Sequence, residues 1–213
     1  MELYSFFNSS TSYRVRIALE LKKQSYTYKG VNIRIGEQRS ADFFEINPAK
    51  GVPILVDNNG FTLSQSMAIL QYLDNEYPEP LLIPSESKEK ARVLELSNLI
   101  ACDMHPVNNL KILGYLQAQL EVSNTQKTEW YKHWINEGFI AVESLLERYG
   151  QGQYCFGETP TLADCCLIPQ VANALRFGCD LSKFKKVMAV YQHCITQPAF
   201  QRAEPKEQPD YIA

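Results

Sequence analysis

Apolar and polar positions divide this chain into two stretches with different periods. In the first, short runs with alternating character give way to runs at helical spacing. "ELYSFF", starting at Glu2, is a short aromatic-rich strand. "SYRVRIALELKK" carries Val15, Ala18, Leu19 and Ile17, Leu21 at helical spacing. "SYTYKGVNI" alternates as a second strand, and "SADFFEINP" is a short helix that must end before Pro48. "VPILVDNNGFTLSQS" reads as two strands turned at Asn58-Asn59-Gly60. "SQSMAILQYLDNEYP" is a helix opening near Ser64 and closing before Pro78. The order is βαβαββα over residues 1–82.

Pro78, Pro80 and Pro84 then interrupt the pattern as a linker. Everything beyond is helical in period, with helices expected over 86–119, 125–149, 161–177, 183–196 and 198–203. Thr161 and Asp164 have the spacing of a capping box, and Pro169 should kink the helix it interrupts. Trp130, Tyr131, Trp134 and Phe139 recur at helical spacing and read as core. The expected organisation is an α/β unit over 1–82 and an all-helical unit over 87–213.

Composition narrows the function classes. The net charge of −3 and a pI near 5.7 give no support to a nucleic-acid partner. No apolar run approaches the roughly 20 residues needed to cross a bilayer, so no membrane role is expected. The opening "MELYSFFNSS" does not read as a secretory signal. The six cysteines include no C-x-x-C pair and read as reduced and mostly buried, which implies a cytoplasmic protein. His105, His133 and His193 are scattered without ligand spacing, so no metal site is expected.

The candidate chemistry begins where the first helix begins. Ser9, Ser10, Thr11 and Ser12 crowd its mouth. A helix N-terminus carries partial positive charge and unpaired N–H groups. Hydroxyls there can cap the helix, or hold an anion such as a thiolate. In "KGVP", Val52 is pushed extended by Pro53 and can pair its backbone with a peptide laid alongside. In "LSQS", a second helix start offers N–H groups and the Ser66 hydroxyl to a carboxylate.

Several stretches resemble one family. "SSTSYRVRIAL", "NPAKGVP", "LSQSMAI", "HPVNNLKIL", "YCFGETPTLADCCLIPQVANALRFGCDL" and "QPAFQRAEPKEQPD" are similar, in order and spacing, to the zeta-class glutathione transferases, whose best-known members are maleylacetoacetate isomerases. The resemblance spans nearly the whole chain. It implies a thioredoxin-like domain followed by a helical bundle, usually in a homodimer, with glutathione as cofactor. It gives Ser9 the role of hydrogen-bond donor to the glutathione thiolate, with Ser10 and Thr11 beside it as catalytic residues. It implies a cis Val52–Pro53 bond, glutathione contacts at Gln38, Val52, Pro53, Gln65, Ser66, His105 and Asn109, and a substrate carboxylate at Arg176. Two positions depart from the class pattern: Thr11 stands where cysteine is usual, and Asn8 where arginine is usual. Maleylpyruvate isomerases, close relatives, also carry threonine in this motif.

The function implied is glutathione-dependent cis–trans isomerisation of a small cis-enedioic acid, maleylacetoacetate to fumarylacetoacetate, in tyrosine and phenylalanine breakdown. Maleylpyruvate isomerisation and general glutathione transfer are the alternatives within the enzyme class. Outside it stands an inactive binding protein of the same fold.

Overall fold

A computed structural model describes residues 1–212 of the chain. The contacts gather it into two units, Met1–Ile83 with the chain from Ile195 onward, and Pro84–Cys194.

The first unit is built on four strands, β1 (Glu2–Ser5), β2 (Thr27–Gly30), β3 (Ile54–Val56) and β4 (Thr62–Ser64), in the order β2-β1-β3-β4. β1 runs parallel to β2, so a crossover must join them, and α1 (Ser10–Leu21) supplies it. β3 lies antiparallel to β1 and to β4. After β2 come a single 3-10 turn (Glu37–Arg39) and α2 (Ala41–Ile46). α3 (Ser66–Glu76) follows β4. Alternation along β1 fixes the layers. Ser5 faces α1, where its hydroxyl meets Arg16, and α3 packs on α1. Tyr4 faces the other way, into a cluster of Val31, Phe43 of α2 and Ile54.

The second unit holds α4 (Ser87–Asn98), a π-helical stretch (Leu99–Met104), α5 (His105–Val107), α6 (Leu110–Ala118), α7 (Asn124–Tyr149), α8 (Leu162–Arg176) and α9 (Lys185–Cys194). Its core is the buried face of α7 (Tyr131, Ile135, Phe139, Val142, Leu146) with the almost wholly buried α8. Asp164 accepts from the Thr161 N–H and hydroxyl and from the Cys155 N–H, which closes the expected capping box. α8 runs on through Pro169. The Glu143 carboxylate of α7 accepts the N–H groups of Lys186 and Val187, capping α9 from outside.

Four expectations need correction. The helix expected over 86–119 is broken: Pro106 has no N–H, and the backbone upstream widens into the π stretch, with His105 N–H bonding to Ile100 O, before ending at Asn108. Ser64 ends β4 instead of opening α3, which begins at Ser66. Trp134 is exposed, because it falls on the outer face of α7, and so is not core. The period of the last helix, α10 (Pro198–Ala203), places it with the helical unit, yet it packs against α1. The bond responsible is buried: Arg16 of α1 gives its guanidinium protons to Ala203 O, Ser5 Oγ, Phe6 O and Phe7 O. Burial lowers the pKa of that guanidinium, and its acceptors hold it in place. Asp210 adds a second tie by accepting the Phe7 N–H and the Tyr28 hydroxyl.

Candidate active site

In the first unit the sheet itself assembles the candidate residues. Tyr4 faces Ile54 and Ile54 faces Ser64. The loop after β1, the segment before β3 and the turn after β4 therefore all leave the sheet at one end. That end holds Ser9, Val52 and Ser66.

Ser9 is extended, with φ −78 and ψ 118, and caps α1 by accepting the Ser12 N–H at 3.3 Å. Capping uses a lone pair of Ser9 Oγ and leaves its proton free to be donated. The two readings of this hydroxyl are therefore compatible. Ser9 Oγ lies 2.9 Å from Thr11 Oγ1, and Thr11 Oγ1 donates to Val52 O at 2.9 Å. Ser10 is buried as the first residue of α1.

The Val52–Pro53 bond is cis, as the resemblance implies, and a second cis bond joins Glu79 and Pro80. Asn47 shapes the approach to Val52, donating to Gly51 O and accepting the Ala49 N–H. Gln65 has φ 74, a left-handed conformation that a side chain adopts only under constraint. Its side chain is exposed, and Ser66 beside it opens α3. Arg14, buried in α1, donates to Ser66 Oγ at 3.3 Å. That bond takes a lone pair of Ser66 and leaves the Ser66 proton for an acceptor. Gln38 is buried; its amide donates weakly to Ile33 O, and its Oε1 has no partner among the described residues.

In the second unit His105 and Asn109 stand together, with Asn109 Nδ2 3.3 Å from His105 Nε2. They flank the break after the π stretch, where Asn109 also caps α6 through the Lys111 N–H. Arg176 is exposed at the end of α8, bonded to Asn173 Oδ1 and set 4.6 Å from the Phe177 ring. Both groups are tied to Tyr131 of α7. Asn108 donates to Tyr131 O at 3.2 Å, and Asn173 donates to the Tyr131 hydroxyl at 3.0 Å. Burial pushes the Tyr131 phenol upward in pKa, so it stays neutral.

Known proteins are similar to this chain in sequence and in fold. The family model for the glutathione S-transferase N-terminal domain matches residues 1–75, and that for the C-terminal domain matches residues 111–198. A probable maleylacetoacetate isomerase of Vibrio cholerae is 44% identical over 98% of this chain and 97% of its own. A maleylpyruvate isomerase of Ralstonia is 42% identical over 99% of both chains. A solved holo structure of a maleylpyruvate isomerase, described as a bacterial zeta-class glutathione S-transferase, superimposes with a TM-score of 0.96 at 42% identity and full coverage of both chains. The chain belongs to the glutathione S-transferase family. Within it, the chain falls in the zeta class.

For a transferase of this family, glutathione fits the residues of the first unit. The orphaned Gln38 Oε1 is a buried acceptor waiting for a donor. The constrained Gln65 backbone leads into a helix start that carries the Ser66 hydroxyl, and a helix start suits an anion. Two features of this transferase site escape its sequence. Arg14 looks like one more cation of an amphipathic helix, though Tyr13 and Val15 beside it and Ile17 and Ala18 one turn on hint at burial. The positive φ of Gln65 leaves no trace in residue type.

Proposed function

We propose that this transferase is a glutathione-dependent isomerase converting maleylacetoacetate to fumarylacetoacetate. One observation carries the reading: at the mouth of α1, the Ser9 hydroxyl keeps a donatable proton beside Thr11, whose own hydroxyl is bonded to the Val52 carbonyl. When bound, glutathione supplies a thiolate that adds reversibly to a conjugated cis double bond and so frees it to rotate. The names of the relatives at 44% and 42% identity support the same chemistry.

Each residue then has a task. Ser9, with the positive end of α1 behind it, holds sulfur in its charged form. The Val52 N–H and C=O pair with a peptide backbone. Ser66, polarised by Arg14, and Gln65 hold a carboxylate at the mouth of α3. Gln38 accepts an N–H through its orphaned oxygen. Ser10 stays beside Ser9 as part of the catalytic helix start. Arg176 is the proposed partner of a substrate carboxylate, and His105 and Asn109 are further proposed ligand contacts. The protein is proposed to act as a cytoplasmic homodimer on a small cis-enedioic acid.

Maleylpyruvate is the second substrate to consider, favoured by Thr11 and by the Ralstonia relative. An ultraviolet assay of both acids, with and without glutathione, decides. Isomerisation of maleylacetoacetate only in the presence of glutathione is expected. Turnover of neither acid, with glutathione still bound, would leave a binding protein of the same fold. Light scattering at micromolar concentration is expected to report the mass of two chains.

A further inference from the structure

The hydroxyls at the mouth of α1 form a chain whose direction can be worked out from proton counting. Val52 O can only accept, so the 2.9 Å bond from Thr11 Oγ1 uses the single proton of the Thr11 hydroxyl. The 2.9 Å contact between Thr11 Oγ1 and Ser9 Oγ then leaves Ser9 as its donor. Ser9 Oγ in turn accepts the Ser12 N–H. The order is Ser12 N–H to Ser9, Ser9 to Thr11, and Thr11 to the Val52 carbonyl.

We infer that Thr11 is a positioning residue that locks the Val52 backbone to the start of α1 and donates nothing to sulfur. This rests on the proposed glutathione site and assigns Thr11 a task within it. The two ends of the chain serve different parts of one ligand. Ser9 can turn its proton from Thr11 toward a sulfur by rotating about one bond, without moving a heavy atom. Thr11 has no such freedom, because releasing its proton would give up the Val52 carbonyl. Thr11 therefore ties down the backbone that pairs with the peptide, while the hydroxyl that meets its sulfur belongs to Ser9. The branched carbon of threonine strengthens the lock, since it restricts the rotamers of the hydroxyl.

The test separates the two roles without using isomerase turnover. Thr11→Val keeps the shape and removes the proton, Thr11→Ser keeps the proton, and Ser9→Ala removes the other hydroxyl. Each is measured for glutathione affinity by calorimetry and for the pKa of the bound thiol by thiolate absorbance. Thr11→Val is expected to weaken glutathione by roughly two- to ten-fold, the worth of one hydrogen bond. Its bound-thiol pKa should stay at the wild-type value, and Thr11→Ser should restore affinity. Ser9→Ala should raise the thiol pKa. A raised thiol pKa in Thr11→Val would overturn the inference, as would unchanged affinity. If Thr11→Val does not fold, Thr11→Ala takes its place with the same criteria. If the wild-type protein itself binds no glutathione, the proposed function fails first, and calorimetry reports that separately.

Discussion

At the scale of single residues, the site depends on which hydroxyls still have a proton to give. Ser66 resembles Ser9 in this respect. Arg14 donates into its oxygen, so the Ser66 proton is available and its oxygen is polarised by a buried cation. Replacing Ser66 with Ala removes that donor and leaves an Arg14 N–H without the bond to Ser66. Glutathione affinity should fall by about 1–3 kcal/mol, as for the loss of one hydrogen bond to a charged group in a buried site. Calorimetry checks it, and unchanged affinity would take Ser66 out of the site. The residue types at this site were legible, since Ser and Thr crowded before an apolar helix pattern mark a helix start. Their proton directions were not. Those depend on Val52, whose carbonyl accepts from Thr11, and on Arg14, which donates to Ser66, contacts made only after the sheet has brought Ile54 opposite Ser64.

At the scale of elements, local chemistry was most legible where it acts over three or four residues. The spacing of Thr161 and Asp164 gave the start of α8, and the structure adds a third donor, Cys155 N–H, from nine residues upstream. Asp164 is fully buried, so Asp164→Ala would strand three donors with no water to replace the carboxylate. A loss of about 3 kcal/mol or more is expected, combining a lost cap with unsatisfied buried groups, and a denaturant titration checks it. A result below about 1 kcal/mol would mean that the box is not holding α8. The break at His105–Asn109 was less legible. Apolar period continues across it, and only Pro106 signals that the ladder must change there. The π stretch that absorbs the change is a property of the backbone, reached because Pro106 cannot complete an ordinary turn.

For the whole molecule, the two-part organisation follows from the change of period, whereas the fate of the C-terminal segment does not. A helical period says that residues 198–203 form a helix but is silent on which core receives it. Burial is also legible only in outline for the cysteines. Cys155, Cys165, Cys166 and Cys194 are buried, while Cys102 is exposed and Cys179 half-buried. Burial raises the thiol pKa of Cys155, Cys179 and Cys194. At neutral pH a thiol-disulfide reagent should therefore label Cys102 first, with all six reacting only in denaturant; mass spectrometry counts the adducts. Rapid labelling of Cys155 or Cys194 in the native protein would contradict this burial.

The destination of the C-terminal segment is set by Arg16. A guanidinium buried in α1 must have its N–H groups satisfied, and one of its acceptors, Ala203 O, belongs to α10. Around that bond the tail adds Arg202 to Glu20, and Asp210 to the Phe7 N–H and the Tyr28 hydroxyl. Phe6 and Phe7, whose carbonyls also receive Arg16, lead directly into Asn8 and Ser9. The tail thus braces the loop that presents Ser9, the proposed catalytic hydroxyl. A chain ending at Cys194 would lose that acceptor and the cover over Arg16, and losing a hydrogen bond to a charged group typically costs about 1.5–3 kcal/mol. Hydrogen exchange should then accelerate in β1 and α1 while the centre of α7 keeps its protection. Glutathione affinity should fall with it, although no residue beyond Cys194 is a proposed ligand contact. Acceleration confined to α7 would show that the tail braces the helical unit instead, and the reading of Arg16 as its anchor would fall.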